Sequence, residues 1–181
     1  LTCGAQTGRG SERSCVIRRT LEPVYQDLIA KVHEMAQGAA GAALLYLGIQ
    51  ILKLEAGQEL NQHRDYHNHP DYPNHTMKFG NYSGGSLQML RYGRWHSYDV
   101  DNQWLSFDAL KLVHRVQPVT KGYRYSITLY TPGKLERLTA QDWDNLAKAG
   151  FPIYLYEPLP ARMRRLATPT HVMKLDRKSV V

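Results

Sequence analysis

LLYLGIQILKLEAGQELNQHRD, residues 44–65, opens the β-rich part of this chain. Ile49, Ile51 and Leu54 lie in an apolar, β-branched stretch that runs through Glu55 to His63, the pattern expected of a strand that delivers polar side chains at its end. From there to Thr131 the sequence keeps the same rhythm: MKFGNY, SLQMLRYG, RWHSYDV, QWLSF, KLVHRVQPV and YRYSITLYT, separated by Gly, Asn and Asp. Six or seven such strands predict a mainly β chain, a sandwich or jelly roll. Helices flank it. Leu21–Gln37 carries Val24, Leu28, Val32 and Met35 as a helical stripe that Gly38 ends, and Thr139 opens a second helix with Gly150 as its stop. The following FPIYLYEPLPARMRRLATPT, with four prolines, reads as an extended surface segment.

The strand that begins at Leu44 leads to His63 and Asp65 in an H-x-D triplet. His114 follows fifty-one positions later, and Arg124 and Ser126 form an R-x-S triplet ten residues beyond it. Two imidazoles and a carboxylate are what a non-haem Fe(II) site takes when positions must stay open for a co-substrate and oxygen. A guanidinium can then grip a carboxylate through two parallel hydrogen bonds, and a neighbouring hydroxyl can add a third. A second H-x-D, His69-Pro70-Asp71, competes for the role. Pro70 and Pro73 remove backbone donors and fix φ, so that segment is expected to be a loop, and the first triplet is preferred.

Residues 45–131 resemble the double-stranded β-helix, a jelly-roll or cupin-like fold, of the Fe(II)/2-oxoglutarate oxygenases. Within that superfamily HRDYHN at 63–68 is similar to the metal-binding segment of the ten-eleven-translocation and J-binding-protein group, which oxidises the methyl of 5-methylcytosine or thymine in nucleic acid. FGNYSGGSLQM, WLSFDALKLVHRV and GYRYSITLY are similar to that group as well. The resemblance implies an enzyme that takes Fe(II), 2-oxoglutarate and O2, with ascorbate as a candidate reductant. It implies that His63, Asp65 and His114 bind iron, that Arg124 with Ser126 beside it holds the distal carboxylate of 2-oxoglutarate, and that Asn68 and His67 contact the substrate base. The animal enzymes' cysteine-rich, zinc-binding region has no counterpart in this sequence. A prolyl-type protein hydroxylase, sharing the His-Asp-His-Arg chemistry, and a non-catalytic binding module on the same fold are the alternatives.

Charge divides the chain into three. Residues 1–20 carry a net +3 and residues 155–181 a net +4, whereas residues 21–154 balance at 13 positive against 13 negative. We therefore expect a basic N-terminal segment (1–20), a catalytic β-helix domain with flanking helices (21–154) and a basic, proline-containing C-terminal segment (155–181). Basic ends suit a polyanionic partner, DNA in the first instance or RNA, and equally suit plain solvated tails. The longest apolar run, Ala39–Ile49, is too short for a membrane span, which needs about 20 residues. The N-terminal residues lack the apolar middle of a signal peptide. Cys3 and Cys15 are expected to be reduced thiols in an intracellular, cytosolic or nuclear, monomer. Tyr66, Tyr72, Tyr82 and Tyr92 are candidate base-stacking platforms, Gly84-Gly85 an inter-strand turn, and His75 and His96 bystanders.

Overall fold

The computed structural model of the chain describes residues 1–7, 14–38, 44–98 and 101–156. In order these form β1 (Thr2–Thr7), β2 (Ser14–Val16), α1 (Pro23–Gly38), β3 (Gly48–Glu55), β4 (Leu60–His63), β5 (Asn74–Gly84), β6 (Leu87–Arg91), β7 (Arg94–Tyr98), β8 (Leu105–Phe107), β9 (His114–Val116), β10 (Val119–Tyr130) and α2 (Ala140–Lys148). A large sheet has the order β2-β1-β3-β10-β5-β8, and a small one has the order β4-β9-β6-β7. Every strand pair is antiparallel.

Alternation along the long strands decides what each face meets. On β3 and β10, Ile49, Ile51, Ile127 and Leu129 join Ile29, Val32 and Ala36 of α1 and Trp143 and Leu146 of α2 in one core. The opposite face turns Leu52, Leu54 and Val119 towards Leu87, Met89 and Val116 of the small sheet in a second core. The period of two thus puts helices outside and a barrel-like interior inside. Cross-strand register then puts Arg124 opposite Leu54 and Gly80, and Ser126 opposite Leu52 and Lys78, on that inner face.

Several expectations need correcting. The stretch from Leu44 to His63 is two strands in different sheets, β3 in the large and β4 in the small, joined by a turn at Ala56-Gly57. The first helix buries Ile29, Val32, His33 and Ala36, whereas Val24 is 75% and Leu28 38% exposed, so the buried face is rotated from the expected stripe. Within residues 1–20, Thr2–Thr7 and Ser14–Val16 join the large sheet, Cys3 pairing with Ile49. Phe151, Pro152, Ile153 and Tyr156 are buried against α1 and α2 instead of lying on the surface. The charged part of the C-terminal segment, from residue 157 onward, lies outside the described residues, as do Arg9 and Arg13. The second helix forms as its sequence predicts. Thr139 is the N-cap, and Thr139 and Asp142 each receive the other's backbone N–H in a capping box.

Candidate metal and co-substrate site

His63 ends β4, His114 begins β9, and the two are cross-strand partners, which aims both imidazoles to the same side of the small sheet. Asp65 follows β4, its N–H bonded to Ala109 O at 2.9 Å. One potential ligand atom from each of the three lies within 4.8 Å of the other two. Asp65 Oδ1 is 3.7 Å from His63 Nε2 and 4.0 Å from His114 Nε2. Among the described residues this is the group of three or more such donors that can hold one ion. His69 and Asp71 are not in it. His69 Nδ1 and Asp71 Oδ2 lie 3.9 Å apart, and the Asp71 side chain is 80% exposed.

The outer hydrogen bonds prepare each donor. His63 Nδ1 donates to Asn61 O at 2.7 Å and His114 Nδ1 to Leu112 O at 3.0 Å, which fixes the tautomer and leaves each Nε2 lone pair facing Asp65. Burial pushes the His114 pKa down and keeps that ring neutral, as a metal ligand must be. Phe107 closes over it edge to face, 5.1 Å between ring centres. Asp65 is held by two amides. Asn74 Nδ2 donates to Oδ2 at 2.8 Å and Asn68 Nδ2 to the same oxygen at 3.3 Å, while Asn68 Nδ2 also donates to Asn74 Oδ1 at 2.8 Å. Oδ1 is thereby left for an ion. Two imidazole nitrogens and one carboxylate oxygen, all oriented from behind, fit a divalent transition metal with open positions.

Asn74, 2% exposed, is the residue that sequence reasoning missed. It sits in the loop-like stretch HNHPDYPNH, where a lone asparagine carries no signal. Asn68 lies beside Asp65 and Asn74 and its amide N–H groups are spent on them, so its side-chain atom without a hydrogen-bond partner among the described residues is Oδ1. His67 presents an exposed side chain, and its carbonyl accepts from Gly133 N at 2.7 Å.

Arg124 is 2% exposed on the inner face, and its Nε and Nη1 are buried without a hydrogen-bond partner among the described residues. Burial lowers its pKa, yet a guanidinium stays charged, so these N–H groups suit a carboxylate. Its side chain passes over Gly85, where φ is +64° and a Cβ would stand 2.8 Å from Arg124 Cδ. The Gly84-Gly85 pair therefore both turns the chain between sheets and makes room for the guanidinium. Beside it, Lys78, Gly80, Tyr82, Ser83, Ser86, Ser97, Asp101 and Gln117 line a polar cavity of about 480 Å³. Tyr82 donates to Asp101 at 2.6 Å and Lys78 lies 3.5 Å from the same carboxylate. The convergent donors Arg124, Ser126 and Lys78 suit a carboxylate-bearing small molecule.

No protein-family model and no curated protein matches this chain. Solved structures do. NgTET1 in complex with 5mC DNA matches with TM-score 0.53 at 13% identity, over 73% of this chain and 60% of that one. An oxidoreductase of the 2OG-Fe(II) oxygenase family from Burkholderia pseudomallei matches with TM-score 0.48 at 12% identity, over 72% of each chain. A Pseudomonas putida prolyl-4-hydroxylase matches with TM-score 0.39 at 18% identity, over 47% of this chain and 50% of that one. This chain thus spans between half and about three fifths of the hydroxylase and of NgTET1. Two facing antiparallel sheets, flanking helices and the NgTET1 match establish the fold as a double-stranded β-helix.

Proposed function

We propose that this chain is an Fe(II)- and 2-oxoglutarate-dependent dioxygenase that oxidises the methyl group of 5-methylcytosine in nucleic acid, DNA in the first instance. The observation that carries the chemistry is the pairing, inside one β-helix, of a pre-oriented His63-Asp65-His114 donor set with a buried Arg124 guanidinium whose Nε and Nη1 have no hydrogen-bond partner among the described residues. When bound, Fe(II) with 2-oxoglutarate and O2 supplies the oxidising power for a methyl C–H while the 2-oxoacid is decarboxylated. The protein's own part is positional. His63, His114 and Asp65 Oδ1 hold the ion, Asn74 and Asn68 hold Asp65, and Arg124 with Ser126 anchors the distal carboxylate. The apolar inner residues Phe107, Leu54 and Met89 keep water from the space between the sheets.

Two features favour a methylated cytosine. NgTET1, which shares the fold, was solved holding 5mC DNA. Among the described residues the Asn68 side-chain atom without a hydrogen-bond partner is an acceptor, which suits the amino group of cytosine and not the O4 acceptor of thymine. The test is mass spectrometry of nucleosides after incubation with methylated DNA and methylated RNA, each with iron, 2-oxoglutarate and ascorbate. The expected product is a cytosine carrying an added oxygen on its methyl, at the expense of 5-methylcytosine and not of thymine. Consumption of 2-oxoglutarate on a proline-containing peptide, with both nucleic acids unchanged, would reassign the enzyme to peptide hydroxylation.

A further inference from the structure

The small sheet carries more than the metal ligands on its concave face. Register places His63 opposite His114, His114 opposite Met89 and Met89 opposite His96, so four side chains stand in one row across β4, β9, β6 and β7. Directly opposed residues of an antiparallel sheet share a face, and strands lie about 4.8 Å apart, so His96 stands roughly 10 Å from His114 on the same side as the ion site. Two residues along the strands the same face presents Arg94 on β7 and, opposite it, Arg91 on β6. The concave rim that begins at the metal ligands ends in a pair of arginines.

That pair is anomalous for an isolated chain. Like charges directly across a ladder destabilise it. Both guanidiniums are exposed, and among the described residues neither has a carboxylate within ion-pair distance; Arg91 lies over the Tyr98 ring at 5.8 Å. The turn that joins them, Tyr92-Gly93, has positive φ at both positions, +51° and +74°. Such a two-residue turn favours Asn-Gly, and a bulky residue at its first position is strained. Here it is a tyrosine whose side chain is 100% exposed. A strained turn holding an aromatic ring in water between two unpaired cations, at the rim of a site, matches what a nucleic-acid strand needs: cations for phosphates and a ring for a base.

We propose that this rim, Arg91, Arg94 and His96 with Tyr92 at its tip, binds the phosphodiester backbone of the strand whose base enters the metal site. The inference rests on the nucleic-acid reading above and adds to it the place where the strand lies. It differs from an assignment to the basic chain ends, because these residues belong to the region whose total charge balances.

Fluorescence anisotropy of the full chain with a single-stranded methylated oligonucleotide, over a salt series, tests it. Every phosphate that the protein ceases to neutralise lowers the slope of log affinity against log salt by about 0.7 on a single strand, so Arg91→Ala/Arg94→Ala together should flatten it by about 1.4. Methylated and unmethylated strands should weaken alike, since phosphates carry no base information. Arg91→Lys/Arg94→Lys should retain most of the slope, which a folding defect would not allow, and Lys148→Ala on the far helix should leave it unchanged. Wild-type binding with a slope untouched by both arginine-to-alanine changes would overturn the rim while leaving the nucleic-acid reading in place. Absence of salt-dependent binding by the wild-type chain to any DNA or RNA would overturn that reading, and the rim with it.

Discussion

At the scale of the residue, the site depends on hydrogen bonds behind the donors. Asp65 has two equivalent oxygens in solution, and the amides of Asn74 and Asn68 make them inequivalent by occupying Oδ2. Removing a partner of this kind costs 10–100-fold in metal affinity as a rule, so Asn74→Ala should weaken Mn(II) or Fe(II) binding by about that factor. Calorimetric titration checks it, and the same substitution made on Asp65→Ala should add little, because Asn74 acts through that carboxylate. His69→Ala should leave metal affinity as it is. Arg124 gives a parallel case. A lysine cannot copy its planar fork, so Arg124→Lys should raise the 2-oxoglutarate requirement by about tenfold or more. Gly85→Ala should raise it too, since the new Cβ would meet Arg124 Cδ at 2.8 Å and φ is +64°. Unchanged co-substrate affinity in both variants would place the carboxylate elsewhere.

At the scale of the element, legibility in the sequence followed the strength of the local pattern. The long strands β3, β5 and β10 were readable because apolar residues recur at alternate positions along them, Ile49 and Ile51, Met77 and Phe79, Ile127 and Leu129, and α2 because its cap is written in the sequence as Thr139 and Asp142. The candidate ligands were readable because two histidines and an aspartate, donors suited to one kind of metal, sit at or beside strand ends. What was not readable depends on distant partners. β1 buries Cys3, Gly4 and Ala5, residues too small to give a hydrophobic signal, and it exists as a strand because β3 offers it an edge. β4 is four residues long and mostly exposed, and its only structural reason is β9 beside it. Asn74 matters only because folding brings it to Asp65, nine positions away. Where local chemistry does decide, a single change should show it. Thr139→Ala removes the hydroxyl side of the cap, where Oγ1 accepts from Asp142 N at 3.1 Å and donates to Asp142 Oδ2 at 2.6 Å, and should cost about 1 kcal/mol in equilibrium denaturation, with metal binding unaltered.

At the scale of the whole molecule, His33 joins three parts of the fold. It lies on α1, 8% exposed, with Nε2 donating to Ala149 O at 3.0 Å after α2 and Nδ1 bonded to Tyr46 OH at 2.5 Å before β3. Because Nε2–H is committed to a carbonyl, Nδ1 is the acceptor and Tyr46 the donor, so the network is satisfied only by the neutral ring. Phe151 packs edge-on at 5.0 Å between ring centres, and burial pushes the His33 pKa below its usual value. The sign follows from proton binding. Above the unfolded value of about 6.5 both states are neutral, and the bonds contribute in full. As pH falls through that value the unfolded chain takes up a proton that the folded chain resists. Stability then declines, by at most about 1.4 kcal/mol per pH unit for this group, until the lowered folded pKa is reached. His75 and His114 are shifted the same way by burial, so wild type alone reports a sum. The contribution of His33 is read by difference: denaturation of wild type and His33→Phe between pH 8 and pH 5. The stability gap should be widest and flat above about pH 7 and should narrow steadily below pH 6.5. A gap that widens on acidification would mean that His33 is held protonated, with the Tyr46 and Ala149 bonds assigned in the wrong sense.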